Sequence, residues 1–254
     1  MPDPLDRTVA LVTGASSGIG EATALALAQQ GASVALAARR IDRLEDLAGR
    51  IGNGGGRALA LEADLTDQAQ ARGAVERTAS ELGRLDILIN NAGMMLLGPV
   101  LDAPTEEWWQ MLDINVRAVL NCADAALPHL LRAAQDSPRQ VSDMVNISSV
   151  AGRVVRRGSA VYNLTKHGVG AFSESLRQEV TQSNVRVALV EPGATATELS
   201  SHNRAEIREG IQQRFAGVQR LEASDVADAI LYIVTRPAHV AINELLMRPT
   251  AQAD

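Results

Sequence analysis

The feature that most constrains this chain is a regular alternation of short, apolar runs with longer amphipathic stretches. Runs at 8–13, 33–38, 57–64, 85–90, 141–148 and 185–190 read as strands, and 241–247 is strand-like. Helical patterns cover 18–30, 42–49, 67–82, 105–134, 159–183 and 223–235. A strand that is apolar throughout has both faces covered, which is the condition of a parallel sheet between helical layers. Strict strand–helix alternation builds βαβ units, so the expected fold is α/β: a Rossmann-type, doubly wound parallel sheet of about seven strands. Helices should cover both faces. The chain has 254 residues, no repeat and no linker, which predicts a single domain over 1–254. The polar stretch 135–143 reads as an exposed connection. The segment 195–217 lacks strand character, follows a strand end and is a candidate mobile lid.

Composition removes several functions. The net charge of −6, with two Phe, two Trp and two Tyr, supplies neither the basic face nor the stacking rings that nucleic acid requires. Cys122 is the only cysteine, which forbids an internal disulfide and a cysteine zinc cage. No histidine has ligand spacing, so no metal site is expected. No apolar run reaches the ~18 residues of a membrane span, and the first residues are polar rather than a signal peptide. A cytoplasmic protein acting away from membranes and nucleic acid is the expectation.

After the first strand comes Gly14-Ala15-Ser16-Ser17-Gly18-Ile19-Gly20. Glycines at this spacing let a strand-to-helix turn approach a pyrophosphate closely, and the helix behind them offers free N–H groups and the positive end of its dipole. Ser16 and Ser17 add hydroxyl donors. A Gly/Ser loop without a ligand is the plain alternative. The second strand ends in Arg39-Arg40, with no carboxylate where a ribose 2′-hydroxyl would need one. Guanidinium groups there suit a 2′-phosphate, so the expected cofactor is NADP(H). Asp64-Leu65 and Asn90-Asn91-Ala92-Gly93 close the third and fourth strands on the same edge, where they either line the adenosine side or serve as turn chemistry.

Lys166 is the sole lysine among 24 basic side chains, and it lies four residues after Tyr162. On a helix that spacing puts phenol and ammonium on one face. A cation beside a phenol favours the phenolate, which makes the pair a candidate general acid/base. Ser149, at a strand end, is placed to hydrogen-bond a substrate oxygen. Asn115 lies inside the long helical pattern, where Asn is a poor helix former. It either orients a water or faces solvent.

The runs TGASSGIG, NNAG, NISS and YxxxK, with Asn115 between the second and third, resemble the short-chain dehydrogenase/reductase family over about residues 7–248. The resemblance implies a catalytic set of Asn115, Ser149, Tyr162 and Lys166. Tyr162 would protonate a carbonyl oxygen, Ser149 would position it, Lys166 would hold the nicotinamide ribose, and Asn115 would hold a water leading to solvent. It also implies that Pro192, Gly193, Thr195 and Thr197 face the nicotinamide end. The implied partners are a small-molecule carbonyl or alcohol substrate and further copies of the chain in a homotetramer, built from helices near 105–134 and 160–183. Two alternatives stand beside the reductase: a 3-oxoacyl thioester reductase, for which Arg153, Arg156 and Arg157 offer a basic patch, and an idle NADP-binding sensor or partner subunit.

Overall fold

The computed structural model describes residues 3–101 and 103–253. Seven strands, β1 (Val9–Thr13), β2 (Ser33–Ala38), β3 (Arg57–Glu62), β4 (Ile87–Asn90), β5 (Ser142–Ile147), β6 (Val185–Pro192) and β7 (Glu244–Met247), form one sheet. Their order is β3-β2-β1-β4-β5-β6-β7 and every pairing is parallel. Around it lie α1 (Gly18–Gln29), α2 (Ile41–Asn53), α3 (Gln68–Leu82), α4 (Thr105–Leu112), α5 (Ala118–Asp136), α6 (Ala160–Val180), α7 (Ala205–Arg214) and α8 (Ala223–Val234). The chain winds from β1 to β3, crosses back to β4 and winds the other way to β7. The sheet is therefore doubly wound, and its switch point lies between β1 and β4, where such folds open a crevice at the carboxyl ends of the strands.

The apolar strands serve two cores at once. Ala10, Val12, Val34 and Leu36 face one layer with Leu27 of α1, Leu44 and Leu47 of α2 and Ile230 of α8. Leu11, Ala35, Ala37, Leu88 and Met144 face the other, with Val75 of α3, Ala126 and Leu130 of α5 and Leu176 of α6. Each fully buried leucine in these layers contributes about 1.5–3 kcal/mol. Among the described residues no helix is long and apolar enough to cross a membrane.

Three local expectations change. The helix predicted over 42–49 continues to Asn53, because Ile51 extends its buried face and Gly49 and Gly52 meet open space. The single helix predicted over 105–134 is α4 and α5 joined by a widened π-type turn, Asp113–Arg117. The last strand begins only at Glu244, where its register with Leu189 of β6 starts.

The stretch 135–143 is exposed only in its first part: Gln135, Asp136, Pro138 and Gln140 face solvent. Ser137 is buried, and Val141, Ser142 and Asp143 are buried as the chain enters β5 between β4 and β6. Asp143 accepts from Arg186 Nε at 2.7 Å and Nη2 at 3.1 Å, and from Arg139 Nη2 at 2.6 Å. Removing one partner of a buried pair leaves the other charge uncompensated. Asp143→Ala is expected to cost about 3–5 kcal/mol in urea denaturation. A loss under about 1 kcal/mol would mean that Arg186 finds water instead.

Candidate active site

The carboxyl ends of β1, β2, β4, β5 and β6 open into one cleft of about 500 Å³. Its floor is the glycine turn. Gly14 has φ of +64°, and a Cβ there would lie 2.8 Å from the Ala92 Cα. A Cβ on Gly20 would lie 2.4 Å from the Gly14 carbonyl oxygen and 2.5 Å from Asn91 Nδ2. The turn is thus pressed against the end of β4. Thr13 Oγ1 accepts from the amides of Asn91 at 2.9 Å and Ala92 at 3.1 Å, and Asn91 Nδ2 donates to the Thr13 carbonyl at 2.9 Å. Asn90 Nδ2 reaches Asn146 Oδ1 at 2.9 Å, so both asparagines tie neighbouring strands. Ser17 makes no side-chain cap on α1, which leaves its first amides free toward the cleft. A turn without Cβ atoms and with uncapped amides fits a dinucleotide pyrophosphate.

Arg39 is exposed and lines the cleft beside Ser16, Ser17, Gly18 and Ile19. Arg40 is engaged: Nη2 donates to Ser16 Oγ and Ser17 Oγ at 2.9 Å each, Nε reaches Ser16 Oγ at 3.1 Å, and Nη1 reaches Glu198 Oε2 at 3.0 Å. Arg43 holds the other oxygen of Glu198 at 2.9 Å. The two arginines hold the Glu198 carboxyl below its usual range, Arg43 more than Arg40. Sequence reasoning missed both Arg43 and Glu198, since nothing local links positions so far apart. Asp64, Leu65, Ala92 and Gly93 also line the cleft, and Asp64 Oδ1 accepts from the Thr66 amide at 3.0 Å and hydroxyl at 2.8 Å.

Across the switch point, Ser149 follows β5 while Tyr162 and Lys166 lie on α6. All three line the cleft. Tyr162 is 6% exposed and Lys166 7%. Lys166 Nζ lies 5.8 Å from the Tyr162 ring centre and donates to the Ile147 carbonyl at 2.9 Å. The turn after β5 is fastened to α6. Ser148 Oγ donates to the Lys166 carbonyl at 3.1 Å, and Asn163 Nδ2 donates to the carbonyls of Ala151 at 2.6 Å and Val154 at 2.9 Å. Gly152 permits this approach, because a Cβ there would sit 2.7 Å from Ser148 Oγ and 3.0 Å from the Lys166 carbonyl oxygen.

Burial pushes the Tyr162 phenol up to about 12, and the neighbouring Ser149 hydroxyl pulls against that rise. Burial lowers Lys166 to about 8. The expectation that Lys166 depresses the Tyr162 pKa is therefore corrected. The ammonium is turned to the Ile147 carbonyl, and desolvation of the phenolate outweighs it. The phenol stays protonated across the neutral range, as a proton donor to a carbonyl oxygen must.

Asn115 sits in the π-type turn and is buried, not turned to solvent. Its Oδ1 accepts from the Met94 amide at 2.8 Å; its Nδ2 donates to the Met94 carbonyl at 2.8 Å and to Thr165 Oγ1 at 3.1 Å. A Cβ on Gly93 would come within 3.3 Å of Asn115 Oδ1 and 3.8 Å of Lys166 Nζ, so both side chains converge there.

Pro192, Gly193, Thr195 and Thr197 form the facing wall. Gln252, which no sequence signal marked, accepts from the Ala194 amide at 2.8 Å and would lie 2.4 Å from a Cβ on Gly193. The segment 195–217 is helical: a 3₁₀ turn, Glu198–His202, precedes α7. Asn203 ties it to the loop after β4, accepting from the Leu97 amide at 2.7 Å and donating to the Met95 carbonyl at 2.9 Å. Among the described residues no group of three or more His, Cys, Asp or Glu could hold a metal.

A doubly wound sheet with a glycine turn at its switch point, and with hydroxyl, phenol and amine gathered beside it, is the architecture of a Rossmann-type oxidoreductase. Residues 8–208 match the short chain dehydrogenase family, and the chain belongs to it. A glycine betaine reductase of Emericella nidulans is 40% identical over 248 residues; the match covers 97% of this chain and 19% of that much longer protein. An uncharacterized oxidoreductase of Staphylococcus saprophyticus is 36% identical over 248 residues, covering 96% of this chain and 97% of its own. Among solved structures, the closed form of serine dehydrogenase complexed with NADP+ has a TM-score of 0.87 at 32% identity, covering 97% of each chain.

Proposed function

We propose that this chain is an NADPH-dependent oxidoreductase that moves hydride reversibly between nicotinamide and the carbonyl or alcohol carbon of a small to medium organic substrate. The observation that carries this reading is the buried Tyr162 beside Ser149 and Lys166 in the cleft that also holds Arg40 and the glycine turn. The bound nicotinamide would supply the hydride. Tyr162 donates the proton to the carbonyl oxygen, Ser149 orients that oxygen, and Lys166 binds the ribose and returns protons to the phenol. Asn115 holds the loop at Met94 and keeps the Lys166 side of the site in place, where a water would connect it to solvent. Gly14, Ser16, Ser17, Gly18, Ile19 and Gly20 hold the pyrophosphate; Arg39 and Arg40 hold the 2′-phosphate; Asp64, Leu65, Asn91, Ala92 and Gly93 line the adenosine side; Pro192, Gly193, Thr195 and Thr197 shape the nicotinamide end. The segment 195–217 serves as the lid over the substrate.

The resemblance of the runs at 95–100, 126–132, 171–174 and 248–250 to clavulanic acid dehydrogenase lies in packing segments and speaks for a subfamily rather than a substrate; aldehydes of secondary metabolism are included among the first compounds to try. An idle NADP binder has no use for a buried proton donor. A 3-oxoacyl thioester reductase would need a basic docking patch, and Arg153 is spent on Glu191 and Glu244. Exposed Trp109, Leu120 and Leu164 on α4, α5 and α6 support the homotetramer, since they leave apolar side chains on the helices expected to meet.

Cofactor titration followed by a panel of aldehydes and ketones tests the reading. NADPH is expected to bind and be oxidised in preference to NADH. Arg40→Ala should weaken NADPH about tenfold more than NADH, the loss of one charge-assisted pair. A preference for NADH, or equal losses for both, would reject the assignment.

A further inference from the structure

Glu198 is the first residue of the lid turn, and its carboxylate lies in the fork of the two arginines that follow β2. Arg40 holds the glycine-turn serines with Nε and Nη2 and Glu198 with Nη1, while Arg43 spans both Glu198 oxygens at 2.9 Å and 3.1 Å. The positions joined are 158 and 155 residues apart, and the contact fastens the lid to the adenosine end of the cleft. A carboxylate accepting from two guanidinium groups presents to them what a phosphate monoester presents: negative oxygens in bidentate range. Asp64 and Glu198 are the only acidic side chains among the described residues lining the cleft, and Asp64 directs an oxygen to Thr66.

We propose that Glu198 is an internal counter-anion for the 2′-phosphate site. Steadied by Arg43, it occupies Arg40 before cofactor arrives, competes with the 2′-phosphate for that guanidinium, and loosens the lid turn when the phosphate displaces it. This makes Glu198 a determinant of cofactor discrimination and couples the phosphate of NADPH to the start of the lid. A 2′-hydroxyl carries no charge to displace it, so NADH leaves the clasp closed. The inference rests on the NADPH reading above, and its failure is distinguishable: a protein that binds neither nucleotide fails that reading, whereas binding that is indifferent to Glu198 fails this one.

The test is direct binding of NADPH and NADH to wild type and Glu198→Gln at low and high salt. The side chain is about half exposed and the substitution keeps its shape, so the variant is expected to fold. The variant should bind NADPH about fivefold more tightly at low salt, the upper range for an exposed ion pair, with the gain shrinking at high salt. Its affinity for NADH should not change. Equal tightening for both nucleotides, no change for either, or weaker NADPH binding would overturn the proposal. A second readout follows the lid. In wild type, adenosine 2′,5′-bisphosphate should raise amide hydrogen exchange over 198–202, and 5′-ADP should not. In the variant, exchange there should already be fast and should not respond to the bisphosphate. Protection of 198–202 by the bisphosphate in wild type would contradict displacement.

Discussion

Tyr162→Phe is expected to lower NADPH-dependent carbonyl reduction by about 10²–10⁴-fold, the range for loss of a positioned general acid. The ring packs with Leu96, Met111 and Trp108, and those contacts survive the change. Stability should therefore move by no more than about 1 kcal/mol, because only a hydroxyl is removed. The defect should lie in kcat, with NADPH affinity nearly unchanged. Undiminished turnover would remove Tyr162 from the chemistry. Urea denaturation of the same sample checks that the fold is intact.

The second large effect combines a gain and a loss. Lys166 is held at about 8 by burial, against 10.5 for the free side chain. Unfolding takes up a proton between those values, so below about pH 8 the folded protein carries the full cost of a buried ammonium, and the cost fades as pH rises toward 10.5. Lys166→Met removes that cost. At pH 7 the variant should be more stable by about 2 kcal/mol: roughly 3 from the pKa difference, less about 1 for the hydrogen bond to Ile147. The advantage should vanish by about pH 10, and turnover should fall at least a hundredfold. In wild type, reduction should decline above about pH 8 as the ammonium deprotonates, a limb the variant lacks. Equal or lower stability of the variant at pH 7 would show that Lys166 is solvated well enough to charge freely. Such an exchange of stability for function is common where a site demands a buried charge.

The parts of this fold that could be read in the sequence are those fixed by local pattern. β1 and β4 are buried along their whole lengths and are apolar almost throughout, so the pattern at those positions marks them as strands. The glycine turn and the Tyr162–Lys166 pair were legible because a few neighbouring residues carry them. What could not be read depends on partners distant in the chain. Asp143 looks like a surface residue until Arg186 is known to lie opposite it in β6. The π-type turn at Asp113–Arg117 shifts the phase of the helix and leaves no mark in the sequence, so Asn115 could not be placed inward from its neighbours. Glu198 and Gln252 enter the site from the segment 195–217 and from beyond β7, and their spacing to the motifs is arbitrary. The direction of the Tyr162 pKa shift is set by burial, which a cation four residues away in the sequence does not disclose.

The central claim is that the cleft passes hydride from nicotinamide to a carbonyl carbon while Tyr162 supplies the proton. NADPH deuterated at either face of nicotinamide C4 tests it most directly, using whichever carbonyl compound of the panel turns over. The account predicts that one of the two labelled cofactors, and not the other, places deuterium on the carbinol carbon of the product, and that Tyr162→Phe nearly abolishes the transfer. NADPH that binds without surrendering its label to any carbonyl, or an alcohol product free of deuterium from both labelled cofactors, would contradict it.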